Sequence, residues 1–290
     1  MAPVVSVRDL VFTYPGAAAP TLRGVGFAVG EGEVYGLLGP SGAGKSTTQR
    51  ILMGLLRGFS GEVELFGQPV GSFGRTLYRR IGVSFELPAV YLRLTAIENL
   101  RLFAALYEGK TRDPRELLSE LDLGDAADQR VEEFSKGMKM RLNLARALLH
   151  DPTLIFLDEP TAGIDPGRAR TIRDLIRSLK ARGRTIFLTT HNMAEAEEVC
   201  DRVGFLAHGQ VPVTGSPAAL KRSFGEASLE VGIAGPDGAV ETRIFAMDGL
   251  GADEDFMALL AAGTIVSMHT REASLDDIFI RATAVEGHRG

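Results

Sequence analysis

Gly39-Pro40-Ser41-Gly42-Ala43-Gly44-Lys45-Ser46-Thr47 fits the phosphate-loop pattern, in which two glycines bracket four residues and a lysine and a serine follow. Its flanks fit as well. Residues 33–38 before it form a short apolar run, and residues 46–56 after it place Ile51, Leu52, Leu55 and Leu56 at helical spacing, so the order is strand, loop, helix. In that setting the glycines let backbone N–H groups turn inward around phosphate oxygens, while the helix start adds partial positive charge. Lys45 then faces the β and γ phosphates, Ser46 faces magnesium, and Thr47 completes the nucleotide-contacting run. A glycine-rich turn with no ligand is the plainer reading of the same residues.

A second motif decides between the two. Leu154-Ile155-Phe156-Leu157-Asp158-Glu159 is an apolar strand ending on two carboxylates, and ligands of open α/β sheets gather at such strand ends. Asp158 is expected to hold magnesium, and Glu159 to polarise the attacking water. Further along, helices at 167–181 and 193–199 flank an apolar run at 185–189. Apolar runs alternating with helices imply crossover connections and a parallel sheet covered on both faces.

Outward from this core, residues 4–14 alternate apolar and polar positions as a half-buried strand and stop at Pro15-Gly16. Residues 88–149 are mostly helical in pattern, with Ile97, Leu100, Phe103 and Ala104 on one face and Leu117, Leu118 and Leu121 on another. Beyond 216 the character changes. Short alternating segments at 228–233, 240–245 and 264–269 mix with helical ones at 254–262 and 275–282. The expected fold is therefore an α/β phosphate-loop NTPase with a mostly parallel core sheet and an N-terminal β part. It carries a helical subdomain at about 88–150 and divides into residues 1–215 and an α+β extension over 216–290.

Composition sets limits on function. The chain has 290 residues, a net charge of −5 and one cysteine. That excludes an intrachain disulfide framework and a Cys-based zinc cluster, and Cys200 reads as a small buried hydrophobe. The negative balance offers no electrostatic footprint for nucleic acid. No stretch approaches 18 uninterrupted apolar residues, and the first ten residues lack the pattern of a signal peptide, so a membrane role is expected only through a partner.

With these motifs in order, residues 4–215 resemble the ATP-binding subunit of an ABC transporter. Phe134-Ser135-Lys136-Gly137-Met138 is similar to the family signature, usually written LSGGQ, and Ala162-Gly163-Ile164-Asp165 to the D-loop. The resemblance implies the ABC-cassette form of this fold, with its N-terminal β part antiparallel, and an ATP- and magnesium-dependent head-to-tail homodimer. Ser135 and Gly137 of one protomer would cap the γ phosphate on the other, and Asp165 would communicate across the dimer. It also implies that His191 is the switch histidine, that Tyr14 stacks on adenine, and that Glu86 stands in the magnesium-ligating place of the Q-loop glutamine. The plainer readings are a helix cap for Ser135 and for Asp165, and simple packing for Tyr14. An integral-membrane permease would dock on the helical block at 85–107, placing the chain at the cytoplasmic face of the membrane.

Several departures bear on coupling and cargo. Phe134, Lys136 and Met138 replace the leucine, a glycine and the glutamine of the signature, and Glu86 replaces a glutamine with a carboxylate. Lys136, Glu86 and the segment Ser274-Leu275-Asp276-Asp277-Ile278-Phe279 resemble daunorubicin-type antibiotic exporter subunits, which makes a drug or other hydrophobic compound the expected cargo. A soluble ABC ATPase that remodels protein or nucleic acid is the alternative. Against it stand the single cassette and the absence of sustained heptads.

Overall fold

The structure is a computed structural model that describes residues 2–224, 228–234, 239–271 and 273–284. It divides into two compact units, 1–214 and 215–290. In chain order the first comprises β1 (Val5–Phe12), β2 (Leu22–Val29), β3 (Val34–Leu38), α1 (Lys45–Leu52), β4 (Ser60–Leu65), β5 (Gln68–Pro69), β6 (Ile81–Ser84) and α2 (Ala96–Ala104). It continues through α3 (Pro114–Glu120), α4 (Lys136–Leu148), β7 (Leu154–Asp158), α5 (Pro166–Ala181), β8 (Thr185–Thr190), α6 (Met193–Val199), β9 (Arg202–Ala207) and β10 (Gln210–Gly215).

The central sheet has the order β10-β9-β3-β8-β7-β6, and the five strands from β9 to β6 run parallel. Its middle strands β3, β7 and β8 are buried along their whole length, as a sheet covered on both faces requires. The crossovers between them are the helices that the apolar periodicity predicts. A second, antiparallel sheet, β2-β1-β4-β5, forms the N-terminal part. The two sheets meet through stacked aromatics: Phe27 of β2 lies 5.2 Å from Tyr35 of β3 and 5.7 Å from Phe187 of β8, centroid to centroid. Tyr35 and Phe187 are fully buried, and burying a side chain of this size contributes about 1.5–3 kcal/mol.

Local chemistry sets the helix starts. Thr95 and Glu98 form a reciprocal capping box for α2, and Asp113 and Asp165 cap α3 and α5, each followed by proline at the first helical position. The first helix is shorter than expected. It stops at Leu52 because Gly54 takes a left-handed conformation (φ 71°), so Leu55 lies outside the helix and half exposed. Strands β4 and β6 also escape the sequence pattern. The former shows three exposed positions in a row, and the latter is only four residues long.

The second unit contains α7 (Pro217–Phe224), β11 (Ser228–Ala234), β12 (Val240–Ala246), α8 (Glu254–Ala262), β13 (Ile265–Arg271) and α9 (Leu275–Ala284). The helix α7 adds to the expected elements. The three strands form an antiparallel sheet, β12-β11-β13, and Leu229, Val231, Ile233 and Phe245 pack with Phe256 of α8 into a small separate core. Among the described residues, no helix is long and apolar enough to cross a membrane.

Candidate functional site

Register in the parallel sheet brings the strand ends together. Leu38 lies opposite Thr190, Thr189 opposite Asp158, and Leu157 opposite Ser84, so the segments leaving β3, β8, β7 and β6 emerge along one edge. The loop 39–44 leaves β3 and enters α1 there. Glycine is required at position 39, where a Cβ would come within 2.2 Å of the Leu206 carbonyl oxygen. Lys45 is buried and folds back over the loop, donating from Nζ to the carbonyls of Gly39 at 2.6 Å and Pro40 at 3.2 Å.

Glu159 is held opposite. It is a non-glycine residue with φ 48°, a conformation that costs on the order of 1–3 kcal/mol and that surrounding contacts must enforce. Its N–H donates to the Thr189 carbonyl at 2.9 Å, which fixes the turn. The carboxylate places Oε1 3.7 Å from Lys45 Nζ and Oε2 2.9 Å from His191 Nδ1, with the Thr190 hydroxyl 3.3 Å away. Glu159 and Lys45 are buried, whereas the His191 side chain is 60% exposed and able to reach outward. Asp158 is also buried and accepts the hydroxyl of Thr189.

Ser46, Asp158 and Glu86 offer only oxygen donors, which suits a hard divalent cation such as magnesium. The first is half-buried at the start of α1, and Glu86 is exposed two residues beyond β6 at the same sheet edge. Asparagine and arginine side chains of α4 hold the Glu86 loop. Asn143 Nδ2 donates to Ser84 Oγ and to the Phe85 carbonyl, both at 3.0 Å, and Arg146 donates to the Ala89 carbonyl at 2.8 Å. Tyr14 is half-buried, its ring edge on Phe12 at 4.9 Å and its hydroxyl 3.1 Å from Thr47 Oγ1, so packing and contact with the loop coexist.

Ser135, Gly137 and Asp165 meet in a second cluster where α4 and α5 begin. The Ser135 hydroxyl caps α4 through the Met138 N–H, and Asp165 caps α5 through the Arg168 N–H. Gly137 is buried, with the position of its absent Cβ 3.6 Å from Ile164. Lys136 lies across Gly163, where a Cβ would clash with its amine and where φ is 67°. Both capping readings therefore hold, and each leaves the residue exposed and able to meet a ligand.

Sequence reasoning missed Thr189, Thr190 and Arg168, which touch Asp158, Glu159 and Ser135, and Glu195, which reaches the site through Thr190. For Glu195 a signal existed: it lies one helical turn after His191, behind the cap Asn192. The other three become significant only once strand register and helix packing are known. Cys200 is buried, and burial pushes its thiol well up.

Similarity to known proteins runs along the whole chain. Residues 22–162 match the ABC transporter family, and residues 231–272 match the fluoroquinolone efflux ABC transporter C-terminal domain. A fluoroquinolones export ATP-binding protein of Mycobacterium tuberculosis is 52% identical over 280 residues, spanning 97% of this chain and 93% of that relative. A Nod factor export ATP-binding protein I of a Rhizobium species is 45% identical, spanning 69% and 67% respectively. Among solved structures, an ATP-binding subunit of an ABC transporter superposes with a TM-score of 0.72 at 28% identity, covering 97% of this chain and 99% of the other. A dimeric ATP-binding cassette in a post-hydrolysis state, bound to ADP and Pi, gives a TM-score of 0.66 at 27% identity and covers 73% and 98%.

Proposed function

The chain belongs to the ABC transporter family of ATP-binding subunits, and from that premise we propose that it powers export of a hydrophobic antibiotic, of the fluoroquinolone kind, through a separate permease. The observation that carries the catalytic part is the convergence of Lys45, Glu159 and His191 at the edge where Asp158 also emerges. The N–H groups of the loop and Lys45 bind the phosphates, and Tyr14 takes the adenine. Ser46 and Asp158, joined by Glu86, hold magnesium, which neutralises phosphate charge when bound. Glu159 accepts the proton of the attacking water as its oxygen bonds to the γ phosphorus and the bond to the β-phosphate oxygen breaks, giving ADP and phosphate. His191 sets Glu159 from one side and turns toward the γ phosphate from the other.

Ser135 and Gly137 of a second copy close the site, so the working unit is a head-to-tail dimer. Its permease docks on the groove of about 320 Å³ lined by Leu55, Tyr78, Phe85, Phe103, Tyr107 and Arg146, beside the exposed Leu87 and Leu106. Because Arg146 and Asn143 tie that region to α4, movement at the groove reaches Ser135 at the other end of the same helix. In this arrangement the chain is peripheral, on the cytoplasmic face of the membrane.

The test is complementation in a strain lacking the gene, with fluoroquinolone tolerance as readout. The wild-type chain should restore tolerance and Glu159→Gln should not. Unchanged tolerance in the deletion strain would remove the cargo assignment. Failure of a tagged chain to copurify with any multispanning membrane protein after cross-linking at Leu87 would remove the permease.

A further inference from the structure

Buried behind Glu159 is a second carboxyl with no part in the mechanism above. Glu195, on α6, is 3% exposed, and its Oε2 lies 3.2 Å from Thr190 Oγ1. The same Oγ1 lies 3.3 Å from Glu159 Oε2 and accepts the N–H of Asn192 at 3.0 Å. A hydroxyl has one proton to donate and two lone pairs to accept with. One lone pair is taken by Asn192. If both carboxyls are ionised, the single proton can serve only one, and two like charges then face each other across one oxygen. If Glu195 keeps its proton, the Thr190 hydroxyl is fully matched: it accepts from Asn192 and from Glu195 Oε2, and it donates to Glu159.

We propose that Glu195 is a positioning residue for hydrolysis, its protonated carboxyl turning the Thr190 hydroxyl so that the proton points at Glu159 Oε2. This rests on the reading of Glu159 as the group that activates water. Burial supports it, because it pushes the Glu195 carboxyl above the ordinary range. The charged or titratable groups facing Glu195 are Glu159 beyond β7, Arg173 on α5 and Cys200 after α6. The hydroxyls of Thr161 and Thr190 oppose the upward push, as does Arg173, while Glu159 adds to it, and burial outweighs the opposition. A carboxylate this deeply buried beside a second carboxylate is more costly than a neutral acid in the same place. The consequence for function is that Glu159 receives a fixed donor on the same oxygen that faces His191, leaving Oε1 as the oxygen presented toward Lys45.

The experiment uses the full chain with magnesium ATP and compares Glu195→Gln, Glu195→Leu, Thr190→Val, the Leu/Val double variant and Glu159→Gln. An amide N–H can donate to Thr190 as the protonated acid does, so Glu195→Gln should keep kcat within about 3-fold of the parent. Glu195→Leu and Thr190→Val should each lower kcat about 10-fold with KM for ATP within about 2-fold, and the double variant should be no worse than Thr190→Val alone. A merely structural role would make Gln and Leu alike, or make the losses multiply, and either result overturns the proposal. A second readout does not need turnover: the 13C carboxyl resonance that disappears in Glu195→Gln should sit at its protonated position at pH 7, and an ionised position there overturns the proposal as well. If Glu159→Gln hydrolyses ATP at the parent rate, the fault lies in the assignment of the base, and the carboxyl resonance still decides whether Glu195 holds its proton.

Discussion

Arg168 donates from Nη1 to the hydroxyl oxygen of Ser135 at 3.3 Å, and that same oxygen accepts the Met138 N–H at 3.3 Å. With both lone pairs engaged, the serine proton is left to point away from the protein, toward the place where a partner's γ phosphate would arrive. Arg168 also pairs with Asp165 at 3.6 Å, so one guanidinium joins the caps of α4 and α5, the two segments that the proposed dimer would place against its partner. Arg168→Met should therefore leave ATP binding by the single chain unchanged and weaken ATP-driven dimerisation about 10-fold, the low end for one hydrogen bond from a charged donor. Sedimentation in a Glu159→Gln background measures this, and undiminished dimer would mean that Met138 alone orients the serine.

Lys45 should make the most concentrated contribution to nucleotide affinity. Its ammonium is buried against two backbone carbonyls and near the Glu159 carboxylate, contacts that phosphate oxygens would replace. Lys45→Ala removes that charge and should weaken ATP binding on the order of 100-fold, the upper range for one charge-assisted hydrogen bond. Equilibrium binding of a fluorescent ATP analogue checks it, and parent-like affinity would contradict the assignment.

Tyr35 provides a stability marker for the first unit. Burial pushes its phenol up to about 12, against 10.0 for a free tyrosine. Between those values the folded chain keeps a proton that the unfolded chain releases. The stabilisation is thus complete below pH 10 and is lost as pH rises from 10 through 12. Tyr35→Phe should flatten this alkaline loss by roughly 2–3 kcal/mol at its upper end. At neutral pH it should cost less than about 1 kcal/mol, because the contact with Thr214 is long, 3.4 Å. Urea melts of parent and variant across pH 9 to 12 make the comparison.

The two units should separate as folding units. Every member of the large apolar cluster joining the two sheets of the first unit lies between Val4 and Val211, and the second unit has its own cluster around Phe256. A fragment ending at Ser216 should fold and retain ATP binding within a few-fold of the full chain, with the remaining residues acting on dimer stability. A fragment that melts cooperatively yet binds no ATP would contradict the boundary.

Legibility differed sharply between features. The loop around Lys45 and the pair Asp158 and Glu159 were readable because their chemistry is local, a pattern within nine residues or one strand end. The helix α5 was readable from periodicity and its Asp165 cap, and α8 from its pattern alone. The strands β4 and β6 were not, since an edge strand with polar faces and a four-residue strand carry too few apolar positions to show a period. Contacts such as Thr190 with Glu195, or Arg168 with Ser135, depend on how β8 and α6, or α4 and α5, lie in space. No linear pattern contains that information.

The two glutamates at the site should behave in opposite ways. Glu159 is buried, follows Asp158 directly, and is held by Thr190 and His191 within 3.7 Å of Lys45. Glu86 is exposed on the loop tied to α4 by Asn143, where an oxygen ligand for magnesium and a mechanical link are both available. A glutamine can supply a ligand oxygen but cannot take a proton from water. Glu159→Gln should accordingly bind ATP, accumulate as an ATP-bound dimer and lose hydrolysis about 100-fold, the low end of what a positioned base supplies. Glu86→Gln removes one negative charge beside the polyphosphate and keeps the oxygen, so hydrolysis should stay within a few-fold of the parent. Steady-state ATPase rates of the two purified variants are the measurement. Should Glu86→Gln prove the inactive protein and Glu159→Gln the active one, the base has been assigned to the wrong carboxylate, and the strained turn at Glu159 would need another explanation.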